Sequence, residues 1–180
     1  EPVYIGFGSM VSGDMGELAE IIRQAVKLSG VRAVVALGWG QQEAKTKDTN
    51  IFYVKSVPHD WLFPHMAGAV HHGGAGTTAT SLRHALPTLV VPFGGDQPFW
   101  AERVYAAGCG PKAIPRDKLT AENLAEGLRA LISNPEYTRN AACIGEALRN
   151  EHGCANAADL IEKAVWDWEN GNPAQDGMNI

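Results

Sequence analysis

Short apolar runs that end in glycine or proline alternate along this chain with stretches of helical periodicity, and few folds accommodate that order. The runs are VYIGFG (residues 3–8), RAVVALG (32–38), IFYVKSV (51–57), GAVHH (68–72) and TLVVPF (88–93). Each is apolar at successive positions, not at alternate ones, as suits a strand covered on both faces. Between the first two, Leu18, Ile21, Ile22, Ala25 and Val26 fall at helical spacing. Asp14 and Glu17 precede them with capping-box spacing, and Gly30 supplies a stop. HDWLFPHM (59–66) reads as a short helical turn, TTATSLRHAL (77–86) as a helix stopped by Pro87, and PFWAERVYAAG (98–108) as a helix ended by Gly108. The pattern predicts an α/β domain: a Rossmann-like parallel sheet with helices on both faces.

The last third changes character. Residues 120–132, 135–148 and 156–168 show helical spacing, with Thr120 and the pair Asn134 and Pro135 as start signals. Residues 1–168 are therefore expected to form one domain, and residues 169–180 a polar tail. The chain starts at Glu1 directly before a strand, without an initiator Met, and reads as a piece cut from something longer.

Composition excludes several function classes. The net charge is -5 and Lys and Arg are scattered, which argues against a nucleic-acid surface. No apolar run approaches the ~20 residues that span a bilayer, and no signal peptide opens the chain. Cys109, Cys143 and Cys154 form no C-x-x-C pair, so neither a disulfide framework nor a zinc knuckle is expected. A reducing, cytoplasmic compartment fits.

The segment VHHGGAGTTATSL (70–82) carries the most chemistry. A strand ends at His71 and His72; Gly73, Gly74 and Gly76 allow a tight turn with close backbone approach; Thr77 or Thr78 then opens a helix. At the carboxyl end of a parallel strand this is where ligands sit. The unpaired N–H groups of a first helical turn, at the positive end of its dipole, suit a phosphate. A plain connecting turn with a threonine cap is the rival reading. The segment is neither a Walker loop, since Gly-Lys-Ser/Thr is missing, nor a G-x-G-x-x-G fingerprint. A metal at the histidine pair is disfavoured, because neighbouring strand residues face opposite sides and His84 is the one further ligand nearby. One histidine is expected to face the ligand while the other packs beneath the sheet.

A second stretch, VVPFGGDQPFWAERV (90–104), brings Asp96 and Gln97 to the start of a helix after a glycine pair. Together they supply acceptors and amide donors suited to the vicinal hydroxyls of a sugar. A helix cap by Asp96, worth ~1 kcal/mol, is the alternative.

HHGGAGTT followed by PFGGDQPFWAERV resembles the donor-binding half of family 1 glycosyltransferases of the GT-B fold. The resemblance is closest to sterol 3-beta-glucosyltransferases, and less close to the bacterial transferases that decorate glycopeptide and macrolide antibiotics. VYIGFGSM and SVPHDWLFPHMAGAV fit the same pattern, so it covers most of residues 3–110. It implies the C-terminal half of a GT-B fold, ending in several helices, with the N-terminal acceptor domain absent from this chain. By the same resemblance His72 contacts the donor diphosphate, with Gly74, Ala75, Gly76 and Thr77 offering backbone N–H groups and a hydroxyl. Ser9 stands near those phosphates, Val57 meets the uracil edge through its backbone, and Asp96 and Gln97 hold the glucose hydroxyls. Two positions depart from the plant pattern: Ser56 replaces a tryptophan that stacks on uracil, and Thr80 replaces a glutamate that binds ribose. Trp39 and Trp61 are the aromatic candidates for the base, against the commoner packing role of such residues.

The implied activity is inverting transfer of glucose from UDP-glucose to a sterol hydroxyl. Its alternatives are an antibiotic or other small lipophilic acceptor, and a nucleotide-sugar binding module without turnover. A nucleotide-sugar epimerase leaves the paired glycine and GDQ segments unexplained. No cofactor and no metal are implied. No catalytic residue is assigned, since the family's general base belongs to the N-terminal domain; His59 and His65 are expected to be structural. The partners implied are UDP-glucose, a sterol and the N-terminal domain, with peripheral membrane contact through parts outside this chain and no nucleic acid.

Overall fold

The structure, a computed structural model, describes residues 1–8, 15–36 and 49–171. Five strands, β1 (Val3–Gly6), β2 (Ala33–Ala36), β3 (Ile51–Val54), β4 (Gly68–His71) and β5 (Thr88–Val90), form one sheet in the order β3-β2-β1-β4-β5. Every pairing is parallel. β1 is the hinge of the topology: Val3 pairs with Ala33 on one side and with Gly68 on the other, and Gly6 with Ala36 and His71. The chain winds outward from β1 in one direction through β3, then restarts on its other flank at β4. Such a reversal opens a crevice at the carboxyl ends of the two diverging strands.

Helices cover both faces, as the apolar runs require. On one face, α1 (Met15–Ser29) and α5 (Ala121–Ser133) pack on Val3, Ile5, Ala33, Val35, Val70 and Leu89. The helical spacing noted in α1 is what delivers Leu18, Ile22, Ala25 and Val26 to that layer, where each is buried. At ~1.5–3 kcal/mol for each large apolar side chain, this layer is a principal source of stability. α5 starts on a capping box: Thr120 Oγ1 accepts the Asn123 amide and Asn123 Oδ1 accepts the Thr120 amide. Asp14, the expected cap of α1, lies outside the described residues.

The opposite face alternates in register. Tyr4, Val34 and Ala69 meet Leu62, Phe63 and Met66 from α2 (His59–Leu62) and the 3-10 turn that continues it through His65. Val90 meets Leu82 of α3 (Ala75–Arg83), Ala101 and Val104 of α4 (Gln97–Ala106), and Ala141 of α6 (Pro135–Asn150). The predicted elements are thus present, with α3 beginning two residues earlier than expected. Packing divides the chain into two units, Glu1–Leu148 and Arg149–Ile180. The second contains α7 (Gly153–Glu169), whose Leu160, Ile161, Val165, Trp166 and Trp168 are exposed. No helix among the described residues is long and apolar enough to cross a membrane.

Candidate functional site

The reversal between β1 and β4 opens a crevice of ≈ 270 Å³ whose walls include Gly8, Val57, His59, His72 and Thr77. Its construction starts with the histidine pair. His71 is fully buried, and its Nδ1 accepts the Gly73 amide at 3.0 Å, closing the turn that follows β4. The ring proton therefore lies on Nε2, which is buried without a partner. Burial, reinforced by the neighbouring His72 and His59, pushes the pKa of His71 down to about 3, so the ring stays neutral. Gly73 itself has φ +90, and a Cβ there would sit 2.6 Å from Val90 Cγ1 and 3.2 Å from the Gln97 carbonyl. Only glycine fits this turn.

Period-two alternation sends the next imidazole the other way. His72 lies across the turn: a Cβ at Gly74 would stand 2.6 Å from its Nε2, and one at Gly8 3.4 Å from its Cε1. Its Nδ1 is buried without a partner. Burial lowers the pKa of His72, with Asp96 pulling upward and His59 adding to the lowering. The ring is thus neutral near pH 7 and offers one N–H donor.

The glycines then run straight into α3. Its N-cap is Gly74, in extended conformation, with no side chain to cap the helix. This corrects the expectation that Thr77 or Thr78 opens the helix, and it removes the threonine cap of the rival reading. The first helical bond is Thr78 N–H to the Gly74 carbonyl at 2.9 Å, which leaves the amides of Ala75, Gly76 and Thr77 without an intrahelical acceptor. These donors sit at the positive end of the helix dipole. The threonines divide their labour. Thr77 lines the crevice, Thr78 is buried, and Thr80 Oγ1 donates back to the Gly76 carbonyl at 2.9 Å. The Thr80 hydroxyl is therefore engaged by the helix itself.

The loop from β5 into α4 arrives alongside. Gln97 is buried, and its Oε1 accepts the amides of Phe93 at 2.6 Å and Gly94 at 3.2 Å. Asp96 occupies the N-cap position of α4 but makes no side-chain cap bond; its Oδ2 accepts Trp100 Nε1–H at 2.9 Å. The capping role weighed for Asp96 is not what its carboxylate does. One carboxylate oxygen remains for another partner, and so does the Gln97 amide group.

Of the residues singled out in the sequence, Val57, His72 and Thr77 line the crevice together. Gly74, Ala75 and Gly76 form the helix start beside them. Asp96 and Gln97 lie on the adjoining loop, not in the crevice wall, although the Asp96 charge acts on His72. Ser9 and Trp39 lie outside the described residues. Trp61 is exposed and meets His65 edge-on. His59 is the residue that sequence reasoning set aside: it lines the crevice, and Tyr4 lies beside it. Its one signal was position, two residues beyond Val57 in SVPH. Among the described residues, no group of three or more His, Cys, Asp and Glu is placed to hold a metal ion.

Residues 20–161 match the family described as Erythromycin biosynthesis protein CIII-like, C-terminal domain. A sterol 3-beta-glucosyltransferase of Arabidopsis thaliana is 44% identical over 164 residues, 90% of this chain and 26% of the plant protein. The chain spans about a quarter or less of the curated relatives it matches. The glycosyltransferase VinC, solved in complex with dTDP, superimposes with a TM-score of 0.67 at 28% identity, over 83% of this chain and 38% of VinC. Os79 from O. sativa, solved in complex with UDP, superimposes with a TM-score of 0.77 at 18% identity, over 90% of this chain and 42% of Os79. The latter likeness bears on the fold alone, and the fold is that of a GT-B half.

Proposed function

This chain belongs to the Erythromycin biosynthesis protein CIII-like C-terminal domain family, and from that membership we propose that it is the donor-binding domain of a glycosyltransferase. In this reading the complete enzyme moves glucose from UDP-glucose to a sterol hydroxyl with inversion. The observation that carries it is the unfilled donor set at the β4–α3 turn: the amides of Ala75, Gly76 and Thr77, with neutral His72 alongside. A nucleoside diphosphate supplies the matching anionic oxygens. The sterol acceptor rests on the relatives, which are named sterol 3-beta-glucosyltransferases.

The chemistry follows from the geometry. As the bond between the anomeric carbon and the β-phosphate oxygen breaks, negative charge grows on the departing UDP. Backbone amides fixed at a helix start are already oriented toward that charge, so they stabilise it without reorganising. No metal or cofactor has a part in this account. Asp96 and Gln97, through the carboxylate oxygen and amide group that remain to them, hold the sugar hydroxyls. The acceptor's proton must leave to a general base. The family resemblance places that base in the N-terminal domain, outside this chain, and the histidines at the crevice have other roles in this reading. His71 builds the turn, His72 meets the diphosphate, and His59 is engaged by Tyr4. A small lipophilic acceptor of antibiotic type is the second reading, favoured by the family description itself.

Titration calorimetry on this chain tests the proposal. UDP and UDP-glucose release heat at one site, NAD does not, and no steryl glucoside forms unless the acceptor domain is supplied. Heat from NAD with none from UDP overturns it.

A further inference from the structure

Tyr4 packs in the core layer with Leu62, Phe63 and Met66 and also reaches the crevice wall. It stands on β1 and is buried, yet its ring runs along the strand over Gly6, where a Cβ would sit 2.6 Å from Tyr4 Cζ. The absence of a side chain at Gly6 is what admits the phenol. Its hydroxyl then lies 3.0 Å from His59 Nε2, across 55 residues of sequence. The imidazole is clamped from two more directions: Phe63 stacks on it at 4.6 Å and 13°, and the Tyr4 ring meets its edge at 5.2 Å and 75°.

Burial pushes the Tyr4 pKa up to about 12, so the phenol keeps its proton. Burial also lowers the His59 pKa, against the upward pull of Asp60. His59 in turn lowers the pKa values of His71, at the end of β4, and of His72 just after it, and Lys55 stands on the wall of the same crevice. A neutral imidazole has one donor and one acceptor nitrogen. A phenol is a stronger donor than acceptor and imidazole nitrogen a strong acceptor, and a phenol that donates to Nε2 puts the ring proton on Nδ1.

We infer that Tyr4 is a positioning residue of the nucleotide site, locking His59 in the Nδ1–H tautomer so that this ring offers a fixed donor to an acceptor oxygen of the nucleoside. The inference rests on the proposed nucleotide-binding role. The diphosphate occupies the α3 start, and His59 shares the crevice with Lys55, Ser56 and Val57 at the end of β3, which leaves the nucleoside as its neighbour.

The test is a double-mutant cycle read by calorimetry with UDP, with inorganic pyrophosphate as control and the ring ¹⁵N shifts of His59 reporting the tautomer. Tyr4→Phe weakens UDP about five- to tenfold, the size of one hydrogen bond, and leaves pyrophosphate unchanged. In a His59→Phe background the same change costs nothing further. If His59→Phe does not fold, His59→Gln replaces it; its amide donates unaided, and Tyr4→Phe again adds no loss. Unchanged UDP affinity in Tyr4→Phe, an equal loss in both backgrounds, or a wild-type ring protonated on Nε2 overturns the inference. Wild-type protein that fails to bind UDP counts against the proposed function instead, and the tautomer measurement still decides the lock.

Discussion

The turn from β4 into α3 and the loop from β5 into α4 leave the same sheet edge side by side, and both pass through glycines into a helix. They treat their polar groups in opposite ways. In the β5–α4 loop, Gln97 takes the Phe93 and Gly94 amides and Asp96 takes the Trp100 indole N–H. In the β4–α3 turn, His71 takes only the Gly73 amide, and three helix amides stay open. Buried or recessed backbone donors are nearly always satisfied in folded proteins. The β5–α4 loop satisfies its own polar groups, whereas the amides of Ala75, Gly76 and Thr77 have no partner within the helix, which is what the proposed diphosphate role uses. The glycine pattern is common to both; the disposition of donors separates them.

The largest expected effect breaks the comparison at its glycines. Gly73→Ala forces a Cβ against Val90 and the Gln97 carbonyl at a left-handed φ, and lowers stability by about 2–4 kcal/mol. Gly95→Ala has φ +64 but nothing within 4 Å, so it bears only the backbone cost of about 1–2 kcal/mol. Chemical denaturation of both variants measures the difference; equal losses would mean that the β4–α3 turn is no tighter than its neighbour.

His71 gives the next effect. Its folded pKa, about 3, lies below the ordinary 6.5, so the folded state binds fewer protons between those values. The stability it confers is full above pH 6.5 and is lost as pH falls toward about 3. Each unit in that window removes up to about 1.4 kcal/mol. Denaturation at pH 6.5 and 4.5 shows a steeper loss for wild type than for His71→Gln. Parallel losses would mean that the buried imidazole is not the titrating group.

Ligand affinity sharpens the contrast further. His72→Ala weakens UDP by about 1.5–3 kcal/mol, the range for a bond to a charged partner, with little change in melting temperature. Under the proposed sugar role, Asp96→Ala weakens UDP-glucose by about 1 kcal/mol and leaves UDP unchanged, since Asp96 makes no side-chain cap bond. Calorimetry with both ligands separates the two roles. Equal losses of UDP and UDP-glucose in Asp96→Ala would remove it from the sugar site.

Much of this architecture was legible in the sequence because it depends on local patterns. Continuous apolar runs declare doubly covered strands, and the adjacency of His71 and His72 on a strand declares that they face opposite ways. Thr120 reads directly as a helix start, and the fold adds its reciprocal bonds with Asn123. What could not be read depends on partners brought together by folding. A glycine N-cap carries no side-chain signature, so α3 reads as starting at its threonines instead of at Ala75. The Gln97 carbonyl is as free on paper for a sugar as for the Phe93 amide. Tyr4 and His59 are separated by 55 residues, and a tyrosine in an apolar strand reads as core, which it is, without showing that Gly6 leaves room for its hydroxyl to reach His59.

The most direct measurement is an amide-resolved NMR titration of this chain with UDP, following the backbone N–H signals of Ala75, Gly76 and Thr77. Those three, with the His72 ring, shift together and saturate at one affinity, while the amides of Phe93 and Gly94, already held by Gln97, move little. Saturable binding of UDP that leaves the three α3 amides unmoved would contradict the assignment of the β4–α3 turn as the diphosphate site.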